Sequence, residues 1–260
     1  MNFDKLDKEM RIYEQSLDQC ILPGMYLLAR IDGRSFTRLT KEICKFEAPF
    51  DIKFRDLMVE TVRSLMDCGF NVIYGFTESD EISLLFHCEE NAFGRKVRKY
   101  DSVLAGQASA AFSMLLGRIA VFDCRVIQIP TFERVIDYFQ WRQEDAHRNA
   151  LNSHCYWLLR KQRATVQQAT RQLTGKSIAY KNELLFQYGI NFNDLPSWQK
   201  RGIGFYWAKV QKKGFNPALN VETLAIRREI TTVYELPVRK KYTEFLTEII
   251  NSANEKETEN

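Results

Sequence analysis

Two aspartates in the first third of the chain have the residue type and the context for binding a metal ion. Asp32 directly follows an apolar segment that is typical of a β-strand, and Asp80 directly precedes another. If these strands are antiparallel neighbours, the end of one lies beside the start of the other, so both carboxylates meet at one end of a sheet. Two carboxylates in that position repel each other unless a cation lies between them, and hard oxygen ligands suit Mg²⁺.

Each aspartate taken alone also has a simpler explanation. Asp32-Gly33 is a common turn pair, and residues 78–81 are typical of a solvated hairpin tip. The two segments together favour a site with two Mg²⁺ ions, which in phosphoryl transfer activate a hydroxyl group and stabilise a leaving oxygen. Gly33 would let a backbone carbonyl approach the metal. Glu81 is a further catalytic candidate, although strand alternation turns it away from Asp80.

Basic residues in the chain indicate where an anion could bind. Lys96 and Lys99 lie in the first turn of a predicted helix, where cations oppose the helix dipole, so a functional reason is favoured over a merely solvated turn. Residues 1–130 have a net charge of −2 and residues 131–260 have +6, within a total of +4. Residues 146–182 contain seven Lys and Arg and no Asp or Glu, which indicates either an anion-binding face or a solvated basic surface.

The elements that must position these residues follow the order βαββαβ in the first half of the chain. This order is typical of an α+β, ferredoxin-like sheet with both helices on one face, and we expect the other face to be free for a ligand. Strands are predicted at 25–31, 71–75, 81–86 and 125–129, and helices at 50–68 and 95–117.

The second half is predicted to add helices and further strands on the C-terminal side. We expect residues 1–130 to form the catalytic core, and residues 131–260 to complete the nucleotide site within one compact unit. Helices are predicted at 132–162, 166–173 and 177–188 and after Pro237, strands at 203–210 and 223–234, and a frayed tail at 251–260.

The composition excludes several classes of protein. Twelve Gly and six Pro exclude a collagen-like or low-complexity chain. Residues 1–10 are charged, unlike a secretory signal, and the most apolar segment, 102–122, is interrupted by polar residues, unlike a membrane span. The six cysteines are scattered, which predicts reduced core thiols in a cytoplasmic protein, and the three histidines do not supply a zinc site.

Six longer motifs occur in sequence over roughly residues 25–207. They are RIDGRSF (30–36), YGFTESDEISLLF (74–86), DYFQWRQEDAHRNALN (137–152), KSIAYKNELLF (176–186), NFNDLP (191–196) and KRG (200–202). In type and order they resemble the tRNA-histidine guanylyltransferase family of 3′-to-5′ polymerases. The resemblance implies a polymerase-palm-like domain with two Mg²⁺ ions that uses ATP and GTP, acts on tRNA and forms a homotetramer.

The resemblance also implies roles for individual residues. The metal-binding positions of the family fall on Asp32, Gly33 and Asp80. The positions near the nucleotide fall on Arg34, Ser35, Phe36, Ser79, Lys96 and Lys99. The positions expected to contact the tRNA 5′ end fall on His147, Asn149, Asn152, Lys181 and Arg201. Without the resemblance, His147 and His154 would be interpreted as core histidines, and Trp141 and Trp157 are interpreted as core residues in either case.

Two departures from the family pattern affect the expected function. Ala48 stands where relatives often carry a lysine before the proline, and Lys45 is a candidate substitute. The HRNALN element, in place of the eukaryotic H-I-N-N-L-Y-N, resembles the bacterial branch, whose members repair 5′-truncated tRNAs against a template. Templated repair is therefore the expected role, with strict guanylate addition to tRNA-histidine as the alternative.

Two other functional classes stay open at this point. A nucleotide cyclase also uses paired aspartates on a ferredoxin-like sheet, but it would not need the carboxylate-free basic segment. A catalytically silent tRNA-binding factor would not need Asp32 and Asp80, which are both present.

Overall fold

The computed structural model describes residues 2–216 and 221–255, and its framework is an antiparallel sheet of six strands. The order across the sheet is β4-β1-β3-β2-β5-β6, so the two aspartate-bearing strands of the sequence prediction are neighbours. The strands are β1 (Tyr26–Gly33), β2 (Val72–Glu78), β3 (Glu81–Phe86), β4 (Phe122–Ile129), β5 (Ile203–Asn216) and β6 (Val221–Val233).

The predicted helices lie within a few residues of the observed ones, whereas the helical segments over 3–15, 36–43 and 197–201 were not predicted. The helices are α1 (Phe3–Gln15), α2 (Phe36–Arg38, continued by a π-helix over Leu39–Ile43), α3 (Ile52–Met66), α4 (Val97–Leu116), α5 (Phe132–Lys161), α6 (Val166–Leu173), α7 (Ile178–Phe186), α8 (Ser197–Arg201) and α9 (Lys240–Asn254). Single turns of 3₁₀-helix cover Ala92–Arg95 and Phe192–Asp194. The predicted frayed tail is helical as far as Asn254, and its last five residues lie outside the described part of the chain.

Helices α3 and α4 pack on the same face of the sheet, as the element order predicts. Their contribution to the core includes Val62, Leu65 and Phe112, which meet Ala29 and Ile31 of β1. All five side chains are fully buried, and each contributes roughly 1–3 kcal/mol of hydrophobic stabilisation, less for alanine. This packing anchors the strand that ends in Asp32.

The opposite face of the sheet is not free, and that expectation is wrong. Helices α5 and α9 cover it through a second core that includes Leu28, Tyr74, Phe139 and Tyr242. The hydroxyl groups of Tyr74 and Tyr242 lie 2.9 Å apart inside this core. The strands carry apolar residues on both faces, and such a sheet needs a layer on each side. A ligand site that uses the sheet must therefore lie at one of its ends.

The C-terminal part of α5 is the centre of a third, smaller core. Leu158, Leu173, Leu185 and Phe192 bring α6, α7 and the second 3₁₀ turn against it. Helix α6 begins with a reciprocal capping box between Thr165 and Gln168. The carboxylate-free segment predicted from the sequence is thus a folded helical layer.

The cysteines and Trp141 differ in part from what their sequence positions predict. All six cysteines are free thiols, but only Cys155 is buried, and Cys20 and Cys88 are exposed, so the expected core location is wrong for those two. Trp141 is 53% exposed and is also not a core residue. No helix within residues 2–216 and 221–255 has the length and apolar character to cross a membrane. The cytoplasmic location stays a prediction.

We predict that Gly202→Ala lowers the free energy of unfolding by at least ~1–3 kcal/mol. Gly202 has φ +75° and ψ −171°, and a Cβ there would lie 2.5 Å from Cζ of Phe76 and 2.8 Å from the carbonyl oxygen of Thr77. Urea denaturation measures the change. Gly106→Ala, in the open middle of α4, is the control and should raise stability by ~0.5–1 kcal/mol. Equal effects of the two substitutions on the free energy of unfolding would contradict the close packing of Gly202 against Phe76 and Thr77 of β2.

Candidate active site

Asp80 lies in the two-residue turn that joins β2 to β3. β2 continues to Glu78, three residues beyond the predicted strand end, so the connection is shorter than the sequence suggested. Ser79 has φ +49°, and its hydroxyl donates to Oδ1 of Asp80 at 3.0 Å. A turn this short fixes the direction of the Asp80 side chain relative to both strands.

Asp32 ends up beside this turn because β1 pairs with β3. In the antiparallel register Asp32 is opposite Glu81, and the backbone N–H of Gly33 donates to the carbonyl oxygen of Asp80 at 3.0 Å. Burial raises the pKa of Asp80; the Ser79 hydroxyl lowers it, and the negative charge of Asp32 raises it further. The structure thus places the three predicted metal-binding residues, Asp32, Gly33 and Asp80, together at one end of the sheet.

The donor atoms at this sheet end fit Mg²⁺ better than a metal that needs a full protein cage. Among the described residues, no group of three or more His, Cys, Asp or Glu side chains could hold a metal ion. Two carboxylates at one sheet end, with a backbone carbonyl nearby, suit an ion that keeps water and takes its remaining ligands from phosphate.

Two arginines neutralise the other acids of this region in a buried ionic cluster. Arg142 of α5 is 2% exposed, and its guanidinium lies 3.0 Å from Glu78, 2.5 Å from Glu81 and 3.2 Å from Asp145. Arg30 of β1 also pairs with Glu81, and it lies 3.5 Å from Asp32. The cluster therefore holds both residues that flank the Ser79-Asp80 turn.

Membership of this cluster changes the expected role of Glu81. Strand alternation puts Arg30, Asp32 and Glu81 on the face covered by α5, so the Glu81 carboxylate is enclosed between two arginines. We therefore interpret Glu81 as a member of the supporting cluster, in place of the expected catalytic role. Its neighbour Glu78 is buried, which raises the pKa of Glu78 to about 8 against the opposing influence of Arg142.

A cavity of about 520 Å³ opens beside Asp80, within the range of about 300–1,000 Å³ that is typical of small-molecule sites. Its walls come from the β2–β3 turn, the segment after β1, the first turns of α3 and the C-terminal half of α5. The predicted nucleotide residues Phe36 and Ser79 line it, whereas Asp32 does not. Side chains that sequence reasoning missed also line it, among them Lys41, Arg55, Tyr156, Trp157, Arg160 and Trp198.

The segment after β1 explains how the cavity forms. Phe36 is buried against Phe54, Phe112 and Phe122, with ring centroids 4.8–6.2 Å away, and it closes one wall. Ser35 has the left-handed φ of +61°, which turns the chain sharply into α2.

Three other candidate residues of this segment, Arg34, Ser35 and Lys45, do not line the cavity. Arg34 and Ser35 are exposed, and the backbone N–H of Arg34 donates to Val121 at 2.8 Å. Lys45 is exposed and does not line the cavity, so it is not placed to substitute for the family lysine. Trp157, interpreted from the sequence as a core residue, is half-buried in the cavity wall.

Within the chain, Lys96 and Lys99 lie away from Asp32 and Asp80, so the expected placement beside these aspartates is wrong, and their contact with a triphosphate stays a prediction. Helix α4 follows β3, and β3 leads away from the Ser79-Asp80 turn. The five steps from Glu81 to Phe86 in β3, at roughly 3.4 Å each, put about 17 Å between the two ends of the strand. At the far end, Lys96 pairs with Asp18 at 2.8 Å, and Nζ of Lys99 lies 5.4 Å from the centroid of the Phe93 ring.

A second cavity, of about 350 Å³, gathers the residues expected to contact the tRNA 5′ end. His147, Asn149, Asn152 and Lys181 all line it. The other lining residues are Arg148, Leu151, Lys176 and Ile178, so no carboxylate occurs among the described residues of the lining. The positive charge of Arg148, Lys176 and Lys181 in this lining favours binding of an anion.

Arg201 lies just outside this second cavity, on α8. It pairs with Glu144 of α5 at 2.7 Å. Burial lowers the pKa of His147, and the positive charge of Arg201 lowers it further, which favours a neutral imidazole. His147 also contacts the ring of Phe192, with centroids 5.3 Å apart.

One missed feature had a recognisable signal in the sequence. Arg142 lies on the apolar stripe of α5, three residues after Phe139 and four before Ala146, where a charged residue must find buried partners. The cavity-lining residues Lys41 and Arg160 had no such signal, because they are 119 positions apart and only the tertiary fold brings them together.

The α+β fold and the matches to known proteins identify the protein as an enzyme of the nucleotidyltransferase class. Residues 7–130 match the family described as tRNAHis guanylyltransferase, and residues 133–256 match the Thg1 C terminal domain. The chain belongs to the tRNAHis guanylyltransferase family.

Individual relatives agree with this membership. A "Probable tRNA(His) guanylyltransferase" of Drosophila melanogaster is 34% identical over 203 residues, which cover 74% of this chain and 70% of the relative. The tRNA(His) guanylyltransferase of Debaryomyces hansenii is 32% identical over 195 residues, covering 70% of this chain and 73% of the relative.

Solved structures extend the similarity to nearly the whole fold. A bacterial tRNA(His) guanylyltransferase (Thg1)-like protein in complex with GTP has a TM-score of 0.71 and 25% identity, covering 95% of this chain and 99% of that one. The same kind of protein in complex with ATP has a TM-score of 0.73 and 25% identity, covering 94% and 99%. The Saccharomyces cerevisiae enzyme has a TM-score of 0.68 and 26% identity, covering 83% and 95%.

We predict that Arg142→Met lowers the free energy of unfolding by about 3–5 kcal/mol, because it leaves buried carboxylates unpaired. Urea denaturation followed by circular dichroism measures the loss. Arg134→Met, which removes an exposed ion pair with Asp137 on the same helix, is the matched control and should cost less than ~1 kcal/mol. A loss for Arg142→Met no larger than that of the control would show that the cluster does not stabilise the fold.

Proposed function

We propose that this protein is a Mg²⁺-dependent nucleotidyltransferase that adds nucleotides in the 3′-to-5′ direction to the 5′ end of tRNA. The observation that carries the proposal is the pair Asp32 and Asp80 at one sheet end, beside a cavity of about 520 Å³. The strand order β4-β1-β3-β2, with α3 and α4 on one face, supports a ferredoxin-like, palm-type core for residues 1–130. Residues 131–260 would complete the nucleotide site and contact tRNA.

The substrates that we propose follow from the two cavities and from the relatives. The bacterial relatives were solved with GTP and with ATP, which supports nucleoside triphosphates as substrates in the cavity beside Asp80. The second cavity, with Arg148, Lys176 and Lys181 in its lining, would take the phosphates at the tRNA 5′ end. Assembly into a tetramer stays a prediction.

In the proposed reaction, the tRNA 5′ phosphate attacks the α-phosphorus of ATP, which gives an adenylylated end and releases pyrophosphate, or the end arrives as a triphosphate. The 3′-hydroxyl of an incoming nucleotide attacks the 5′ phosphorus of the tRNA, so that a new P–O bond forms and AMP or pyrophosphate leaves. Asp32 and Asp80 would hold two Mg²⁺ ions, which when bound lower the pKa of the attacking hydroxyl and neutralise the leaving group. Glu78 and Glu81 are paired with Arg142 and would not bind the metal ions. The Ser79-Asp80 turn would orient the carboxylate of Asp80.

We predict that Asp32→Asn and Asp80→Asn each abolish nucleotide incorporation, because each removes a carboxylate that a cation needs, while tRNA binding stays largely intact. Incorporation of labelled GTP into 5′-truncated tRNA measures the first effect, and a filter-binding titration measures the second. Asp67→Asn, an exposed residue at the end of α3, is the control and should leave both unchanged. Full incorporation by either site variant would refute the metal assignment, and tight tRNA binding by a wild-type protein without any Mg²⁺-dependent product would favour a silent binding factor.

For the specific role we propose templated repair of 5′-truncated tRNAs, supported by the HRNALN element that resembles the bacterial branch. The protein is incubated with a 5′-truncated tRNA and each nucleoside triphosphate in turn, using substrates that differ only in the opposing 3′-strand base. Incorporation that follows the opposing base is the expected result. Addition of G regardless of that base would establish the alternative, guanylate addition to tRNA-histidine, and turnover of the triphosphate without RNA would indicate a cyclase.

A further inference from the structure

We propose that Lys41 and Arg160 form a phosphate-binding site on the wall of the 520 Å³ cavity that Asp80 also lines. Lys41 lies on the π-helix after β1, and Arg160 lies near the end of α5. The half-buried ring of Trp157 lines the cavity with them. The inference rests on the proposed function, because it names residues that would hold a phosphate of the nucleotide or of the tRNA.

Lys41 is a partly buried cation without a carboxylate partner among the described residues. Its Nζ lies 5.4 Å from the centroid of the Trp157 ring and donates one long hydrogen bond, of 3.4 Å, to the backbone carbonyl of Glu47. Burial lowers the pKa of Lys41, and the charge of Asp51 opposes that effect. A desolvated ammonium with so few partners is costly unless a ligand supplies an anion.

Arg160, on α5, is also a partly buried cation with few partners. One of its terminal nitrogens donates to the carbonyl oxygen of Ala164 at 2.8 Å, and the guanidinium forms no ion pair within the described part of the chain. The surrounding sequence offers no counter-charge, since residues 146–182 contain no Asp or Glu. Most of its planar fork of donors is therefore available to a phosphate.

Four carboxylates line the same cavity: Glu47 is exposed, Asp80 is a proposed metal ligand, and Asp51 and Glu78 have other partners. Asp51 caps α3, where it accepts N–H groups of Lys53 and Phe54, and it also accepts the N–H of Glu47. Glu78 pairs with Arg142. The third cavity-lining cation, Arg55, differs from Lys41 and Arg160, because it pairs with Asp56 at 2.7 Å.

The unbalanced charge of Lys41 and Arg160 thus matches a dianionic oxygen ligand, and phosphate is the class that the proposed reaction supplies. The phosphate can belong to a nucleoside triphosphate in the cavity or to the 5′ end of an RNA. Both sources present the same oxygens to the two cations, and separate binding measurements distinguish them.

The test measures equilibrium binding without turnover, for wild-type protein and for Lys41→Met, Arg160→Met and the charge-retaining Lys41→Arg. Calorimetric titrations use guanosine, GMP and GTP, and fluorescence titrations use acceptor-stem RNA with a 5′-phosphate or a 5′-hydroxyl. We expect Lys41→Met and Arg160→Met to weaken binding of a phosphorylated ligand about tenfold or more, while guanosine or the 5′-hydroxyl RNA binds as before. Lys41→Arg should restore most of the affinity, and Lys45→Met is the control on the same segment, which should bind every ligand like wild type.

The outcomes separate the sources and can overturn the proposal. A loss with GTP assigns the site to the nucleotide, and a loss confined to 5′-phosphorylated RNA assigns it to the tRNA end. Unchanged binding of every phosphorylated ligand by Lys41→Met and Arg160→Met would overturn the inference, as would an equal loss for guanosine and GTP. Thermal melting of each variant checks that it is folded. Incorporation by Asp80→Asn would refute the proposed reaction separately, since these titrations need no turnover.

Discussion

A single buried guanidinium, that of Arg142, is the constraint on which the active-site end of the sheet depends. It reaches from α5 to the carboxylates of Glu78 and Glu81, on either side of the two-residue turn that carries Asp80. A charge that is 2% exposed cannot be left unpaired without a large loss of stability, so α5, β2 and β3 must keep their relative positions. These ion pairs fix the position of the Ser79-Asp80 turn, and the carboxylates neutralise the positive charge of Arg142.

This cluster also divides the acidic residues of the region into two sets. Glu78, Glu81 and Asp145 have arginine partners, whereas Asp80 forms no ion pair within the described part of the chain and lies close to the hydroxyl of Ser79 and the charge of Asp32. Arg30 lies 3.5 Å from Asp32, which is a long contact. The carboxylates left with the least compensation are the two that we propose as metal ligands.

Helix α5 then connects this site with the rest of the molecule. Its 30 residues carry Arg142 under the sheet, His147, Asn149 and Asn152 in the second cavity, and Trp157 and Arg160 in the cavity beside Asp80. A continuous helix of this length is about 45 Å long at ~1.5 Å per residue and holds these groups at fixed spacings. Nucleotide and RNA end, bound as proposed, would be positioned by one rigid element.

Much of this arrangement could be predicted from local sequence patterns. The period of apolar residues predicted α3 to α7 and α9 within a few positions, and the order βαββαβ placed Asp32 and Asp80 at one sheet end. Lys96 and Lys99 were misplaced because the direction of β3 sets where α4 begins, and the sheet face was not free because both of its surfaces are apolar. The apolar stripe of α5 marks Arg142 as a buried charge but does not identify its partners Glu78 and Glu81, and only the tertiary fold brings Lys41 and Arg160 to one cavity.

The central claim is that Asp32 and Asp80 are the carboxylates kept for a divalent cation, while the arginines occupy the other acids. The most direct measurement is a crystal structure of the protein grown with Mn²⁺ and a non-hydrolysable GTP analogue, with anomalous diffraction recorded at the manganese edge. The account predicts anomalous peaks at the Asp32 and Asp80 carboxylates, with Glu78 and Glu81 still paired to Arg142. Manganese bound elsewhere with the analogue in place, or bound by Glu78 or Glu81 after they leave Arg142, would contradict it.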